Sequence, residues 1–154
     1  KYNIFEQDRA DLRNGKCFIR HVDRFRPIRD WKEQQVWEII KRYRVRVHPC
    51  YYMGWGRCSC RFCIFGNKNQ FASAASISPE QISRIIKLER DFGYTLKRNL
   101  SLPELIAMGC MYKNITPELQ RLVTSYNYEQ AIILPAAEEW TLPPGAFGEN
   151  CGAV

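Results

Sequence analysis

Four of the seven cysteines, Cys50, Cys58, Cys60 and Cys63, fall within fourteen residues, and this cluster constrains the chain more than any other feature. Written out, the segment reads His-Pro-Cys-x7-Cys-x-Cys-x2-Cys-Ile-Phe from His48 to Phe65. A secreted disulfide framework spreads an even number of cysteines through the chain, whereas here the count is odd and only Cys17, Cys110 and Cys151 lie elsewhere. Thiolates are the soft ligands shared by zinc and iron-sulfur centres, and a short loop lets several converge without long-range folding. Gly54 and Gly56 give the loop room to turn back, and Arg57 and Arg61 offset the negative charge of a thiolate set. The cluster therefore predicts one metal centre on Cys50, Cys58, Cys60 and Cys63. The competing reading makes Cys60 and Cys63 small buried hydrophobes beside Phe62, Ile64 and Phe65. Because all four thiols come from one loop, the spacing points to a [4Fe-4S] cluster, with zinc as the alternative. His48 is left outside the ligand set.

A chain of 154 residues, 45% of them hydrophobic and 25% charged, can bury one globular core. It is read as a single domain over 1–154. Its net charge of +7 is uneven, with 16 basic and 7 acidic residues up to Ile77 and 7 basic and 9 acidic after it. The first half is thus the anion-facing half. The longest apolar runs are a few residues, such as Ala131 to Leu134, far short of the roughly 20 needed to cross a bilayer. Lys1 to Glu6 lack the apolar stretch of a leader, so the expected location is the cytoplasm.

Local signals predict several elements. Asp30 and Glu33 form a capping pattern for a helix over Trp31 to Tyr43, whose core face would be Trp31, Val36, Trp37 and Ile40. The alternation from Tyr43 to His48 predicts an extended segment with Arg44, Arg46 and His48 on one side, leading into the cysteine loop. Together with Arg57, that basic side would bind a phosphate or sulfate; its competing reading is a charged strand edge that resists aggregation. Ser78-Pro79 opens a helix stopped by Gly93, Ser101 and Glu104 cap a short helix ending near Gly109, and Thr116-Pro117 starts another. The last twenty residues, rich in Pro and Gly, read as loops.

The run Pro27-Ile28-Arg29-Asp30-Trp31, Val36-Trp37, His48-Pro49-x-Tyr51, Gly54, Arg57 and Ser59-Cys60-x-Phe62-Cys63-Ile64-Phe65 resembles the C-terminal half of the phosphoadenosine-phosphosulfate reductase family. The match is close over Phe18 to Phe65, with weaker similarity at Ser101 to Met108 and Leu142-Pro143-x-Gly145-Ala146-Phe147. The resemblance implies an α/β adenine nucleotide alpha-hydrolase-like fold, of which this chain is a mostly helical C-terminal part with a few strands and the metal loop. That family binds adenosine phosphates through a Ser-Gly-Gly-x-Asp-Ser loop that this sequence lacks. The implied partner is an N-terminal nucleotide-binding half or subunit. Cys50 and Cys58 stand where the phage and bacterial branch of that family usually has an aliphatic or small residue, and are reminiscent of related iron-sulfur sulfonucleotide reductases. Glu149-Asn150-Cys151-Gly152 is loosely similar to the family's C-terminal Glu-Cys-Gly-His and makes Cys151 the candidate catalytic nucleophile.

Two functions follow. The first is a reductase-like or sulfur-transferring enzyme component acting on a sulfated or adenylated nucleotide or on nucleic acid. The second is a non-catalytic zinc-stapled module, either regulatory or nucleic-acid-binding, in the latter case with Tyr43, Tyr51, Tyr52 and Trp55 stacking on bases between basic residues.

Overall fold

Helix α1 spans Glu33–Arg42, with acidic Glu33 in its first turn and basic Lys41 and Arg42 in its last, each placed to suit the helix dipole. The computed structural model describes Phe5–Glu6, Arg24–Phe25 and residues 27–148. It divides into two compact units, Lys1–Val36 and Trp37–Val154. In the first, β1 (Phe5–Glu6) pairs antiparallel with β2 (Arg24–Phe25), Phe5 opposite Phe25. Trp31 was expected on the core face of α1 but stands exposed, because the helix starts two residues after it and the Ile28–Trp31 turn carries it outward.

The second unit is built from helices. α2 (Pro49–Met53) is a single turn; α3 (Lys68–Ile77), α4 (Pro79–Phe92), α5 (Leu102–Ala107) and α6 (Pro117–Thr124) follow. The chain is thus mostly helical, and among the described residues the only paired strands are β1 and β2. Several predicted helix boundaries hold: Ser101 and Glu104 close a reciprocal cap on α5, the Thr116 hydroxyl accepts from the Leu119 N–H, and Gly93 ends α4 in the left-handed region at φ 67°; the start expected after Asp30 does not, since α1 begins at Glu33. No helix among the described residues is long and apolar enough to cross a membrane.

Helix α3 went unpredicted. Asn67 caps it, accepting from the Gln70 N–H at 2.9 Å while the Gln70 side chain accepts from the Asn67 N–H at 3.2 Å. It is buried nearly all round, through Phe71, Ala72, Ser73, Ala74 and Ile77, so it carries no polar stripe to announce its period. Gly109 sits so close to the Lys68 carbonyl that any side chain there would strike it, which lets the end of α5 approach the start of α3.

Three apolar clusters hold this unit together. Trp37, Val47, Leu134 and Trp140 form the first; Met53, Trp55, Ala74 and Ile77 the second; Phe71, Ile82, Leu102 and Leu105 the third. Burying one such large side chain stabilises the fold by about 1.5–3 kcal/mol. Phe62 of the cysteine loop packs against the second and third clusters.

The predicted strand over Tyr43 to His48 is corrected. Arg44 has φ 54°, which breaks an extended run, and only Val45 makes a bridge, antiparallel to Ile133. Val47 is buried, whereas Tyr43 is exposed in the turn after α1.

A candidate metal centre

Helix α2 is the frame of the site. His48 is its N-cap, the ring Nδ1 accepting from the Cys50 N–H at 3.2 Å, and Pro49 fills the first helical position. Gly54 ends the turn at φ 115°, with the Tyr112 ring 3.2 Å from where a β-carbon would lie, so only glycine fits there. From that reversal the Trp55 N–H reaches the Cys50 carbonyl at 3.1 Å, and the Trp55 ring meets Tyr112 edge-on at 4.9 Å. The loop then returns, and the Cys58 N–H donates to the Tyr51 hydroxyl at 3.2 Å. Tyr51 itself stands edge-on to Trp37 at 5.4 Å.

The result is a convergence of three side chains. One ring nitrogen of His48 and the sulfurs of Cys50 and Cys58 all lie within 4.8 Å of one another. Ligands around a tetrahedral zinc sit about 3.5–3.8 Å apart, given Zn–S near 2.3 Å and Zn–N near 2.0 Å, so the group needs to close by about 1.3 Å at most. Burial is the first cause that pushes the Cys50 thiol up, and the neighbouring Cys58 adds to it. Partial burial pulls the His48 imidazole below its ordinary value, which favours the neutral ring that a metal needs. A cation reverses the thiol preference outright, because the coordinated sulfur loses its proton. The donor set therefore fits a metal, with His48 entering a ligand set from which the spacing had omitted it.

Cys60 and Cys63 stand apart from that group among the described residues. Cys60 is exposed, one turn before Cys63, whose N–H donates to the Cys60 carbonyl at 3.1 Å. Arg57 donates through Nη2 to the Cys63 sulfur at 3.2 Å and through Nε to the Ser59 hydroxyl at 3.3 Å. The Phe65 backbone N–H first, and Ser59 and Arg57 after it, hold the Cys63 thiol below its usual range. Arg61 anchors the loop elsewhere, donating to the Ser78 hydroxyl, to Gln81 at 3.1 Å and to the Val123 carbonyl at 3.1 Å. A cavity of about 200 Å³ opens beside the group, bordered by His48, Cys50, Cys58 and Arg57 over an apolar wall that includes Met53 and Trp55.

Arg44 and Arg46 are engaged in holding the 131–138 loop. Arg44 donates to the carbonyls of Leu134 at 3.4 Å, Pro135 at 2.6 Å and Glu138. Arg46 donates to the Ala131 carbonyl at 3.1 Å and pairs with Glu138 at 2.9 Å. Both guanidinium groups are thus turned to this loop by their hydrogen bonds. Of the four aromatic residues expected to stack on bases, Tyr43 alone is exposed; Tyr51 and Tyr52 are half-buried and Trp55 is buried. Cys17 and the proposed nucleophile Cys151 lie outside the described residues.

No family model matches the chain, and no solved structure matches it. The chain is similar to the "Uncharacterized 37.8 kDa protein in gpa 5'region" of Escherichia phage 186, 33% identical over 66 residues, covering 43% of this chain and 20% of that protein. It is also similar to the "Uncharacterized protein MJ0973" of Methanocaldococcus jannaschii, 22% identical over 122 residues, covering 79% of this chain and 28% of that one. The matched segments thus span between a fifth and a third of the relatives' lengths.

Proposed function

We propose that this chain is the metal-binding part of a larger enzyme of the phosphoadenosine-phosphosulfate reductase type, acting in sulfur chemistry on a sulfated or adenylated nucleotide or on nucleic acid. The observation that carries the metal reading is the convergence of His48, Cys50 and Cys58 beside the cavity that Arg57 borders. The resemblance carries the choice of chemistry. In that reading a nucleotide-binding α/β half or subunit supplies the adenosine site, and Cys151 is the candidate nucleophile. A thiol-rich centre of this kind suits a reducing compartment such as the cytoplasm.

Between the two cofactors, the arrangement favours zinc. One imidazole and two thiolates are a zinc donor set, whereas a [4Fe-4S] cluster takes four thiolates and would require Cys60 and Cys63 to leave their present positions. A bound zinc ion supplies Lewis acidity and fixes the loop. The residues around it hold His48 in place through α2, return Cys58 through Tyr51, and keep positive charge nearby through Arg57.

Metal and acid-labile sulfide analysis of the anaerobically purified chain tests this. About one zinc per chain without sulfide is expected; iron with matching sulfide assigns the four-cysteine cluster, and neither metal removes the proposal. Titration with an adenosine phosphosulfate, in the presence of the nucleotide-binding half, tests the substrate class.

A further inference from the structure

We propose that the centre takes only three ligands from the protein, His48, Cys50 and Cys58, and that its fourth position opens on the neighbouring cavity, where it binds an exogenous oxyanion of phosphate size contacted by Arg57. This rests on the metal reading above and adds a ligand class and a coordination number to it. Structural zinc sites close their tetrahedron with a fourth side chain, while sites that bind a ligand leave that position open. Here the three donors and Arg57 border the same cavity of about 200 Å³, and neither Cys60 nor Cys63 lines it. The Cys63 sulfur is held by the Arg57 guanidinium at 3.2 Å, and Cys60 is exposed.

Charge sets the ligand class. A divalent ion with two thiolates and a neutral imidazole is uncharged, so the two guanidinium groups bordering the cavity, Arg57 and Arg61, leave it net positive. Arg57 uses Nε and Nη2 on Ser59 and Cys63, and its planar fork has further N–H donors on Nη1. An oxyanion that places one oxygen on the metal and another against this nitrogen satisfies both at once. Arg61 also borders the cavity, but its guanidinium is engaged by Ser78, Gln81 and the Val123 carbonyl.

The test uses the purified chain loaded with Co²⁺, whose visible absorption reports coordination number and ligand type. Wild type, Cys60→Ser and Cys63→Ser are expected to bind one Co²⁺ with the same tetrahedral spectrum, and Cys50→Ser and Cys58→Ser to lose it. Inorganic phosphate, titrated at constant ionic strength against chloride, should shift the wild-type bands in a saturable way. Arg57→Ala should weaken that titration about tenfold or more, and Arg57→Lys by less. Failure of every form to bind Co²⁺ would overturn the metal reading itself. A spectrum lost in Cys60→Ser or Cys63→Ser would show a closed four-ligand site and overturn this inference while leaving that reading intact. Bands unmoved by phosphate, or an Arg57→Ala affinity equal to wild type, would equally overturn it.

Discussion

The Cys58 backbone N–H donates to the Tyr51 hydroxyl at 3.2 Å, which ties the returning limb of the cysteine loop to the helix that carries Cys50. Tyr51 is in turn set by its edge-on contact with Trp37, at 5.4 Å. The aromatic contact behind the site is thus linked through Tyr51 to the backbone of Cys58.

Tyr51→Phe keeps the ring and its contact with Trp37 but removes the acceptor for Cys58. Fold stability should fall by about 1 kcal/mol or less, the net worth of one hydrogen bond at a partly exposed position. Zinc affinity should fall several-fold in a competition titration with a chromophoric chelator. An affinity equal to wild type would show that the loop closes without this bond.

Trp37→Ala should destabilise the chain by about 3–5 kcal/mol, since the ring is 7% exposed and packs with Val47, Leu134 and Trp140. Trp31→Ala should change stability by about 0.5 kcal/mol or less, because that ring is 41% exposed. Urea denaturation of the two variants side by side checks the contrast.

Arg44 combines a left-handed backbone at φ 54° with a guanidinium that holds three carbonyls of the 131–138 loop. Arg44→Ala loses those hydrogen bonds and keeps the backbone strain, while Arg44→Gly loses the bonds and relieves the strain. Glycine should therefore be the milder change, by about 1 kcal/mol. Chemical denaturation measures the difference, and equal losses would mean that the turn is unstrained.

In the metal-free chain, burial lowers the folded His48 pKa, so its contribution to stability is present above the ordinary imidazole value and declines as pH falls through the lowered one. The buried Cys50 thiol acts oppositely: its pKa is raised on folding, and its contribution is lost as pH climbs past the ordinary thiol value. Metal-free stability should accordingly be greatest between neutral pH and the onset of thiol ionisation. Removing the His48 proton acceptor with His48→Ala should flatten the acid limb of a melting-temperature profile and leave the alkaline limb in place.

Alkylation separates the cysteines. Cys63, held low by the Phe65 N–H, Ser59 and Arg57, should react with iodoacetamide at lower pH than buried Cys50 in the metal-free chain. Peptide mapping across a pH series reads the order, and Arg57→Ala should move the Cys63 profile upward.

Gly145 lies so near the Trp55 and Tyr51 carbonyls that an added methyl group would overlap both, while its own N–H donates to Tyr51 at 2.8 Å. Gly145→Ala should cost about 1–3 kcal/mol through this overpacking and loosen the cysteine loop with it. Thermal melting with and without zinc measures both effects.

What could be read from the sequence was local. Ser101 with Glu104, Thr116-Pro117 and Gly93 mark helix ends because capping involves groups only a few residues apart, and the observed boundaries follow them. The cysteine cluster, too, marked by spacing the loop in which Cys50 and Cys58 converge with His48 as a group that could hold a metal ion. Helix α3 escaped because burial on nearly every side erases the amphipathic period, although the Asn67–Gln70 capping pair was visible.

Tertiary structure decided which cysteines meet. The selection of Cys50 and Cys58 with His48 over Cys60 and Cys63 depends on Gly54 turning left-handed against Tyr112, on Trp37 positioning Tyr51, and on Arg57 holding Cys63. Arg44 and Arg46 met their partners 85 to 94 residues away, in a loop that no short-range pattern connects to them. Residue spacing states which ligands are available, but packing between distant segments sets the distances on which coordination depends.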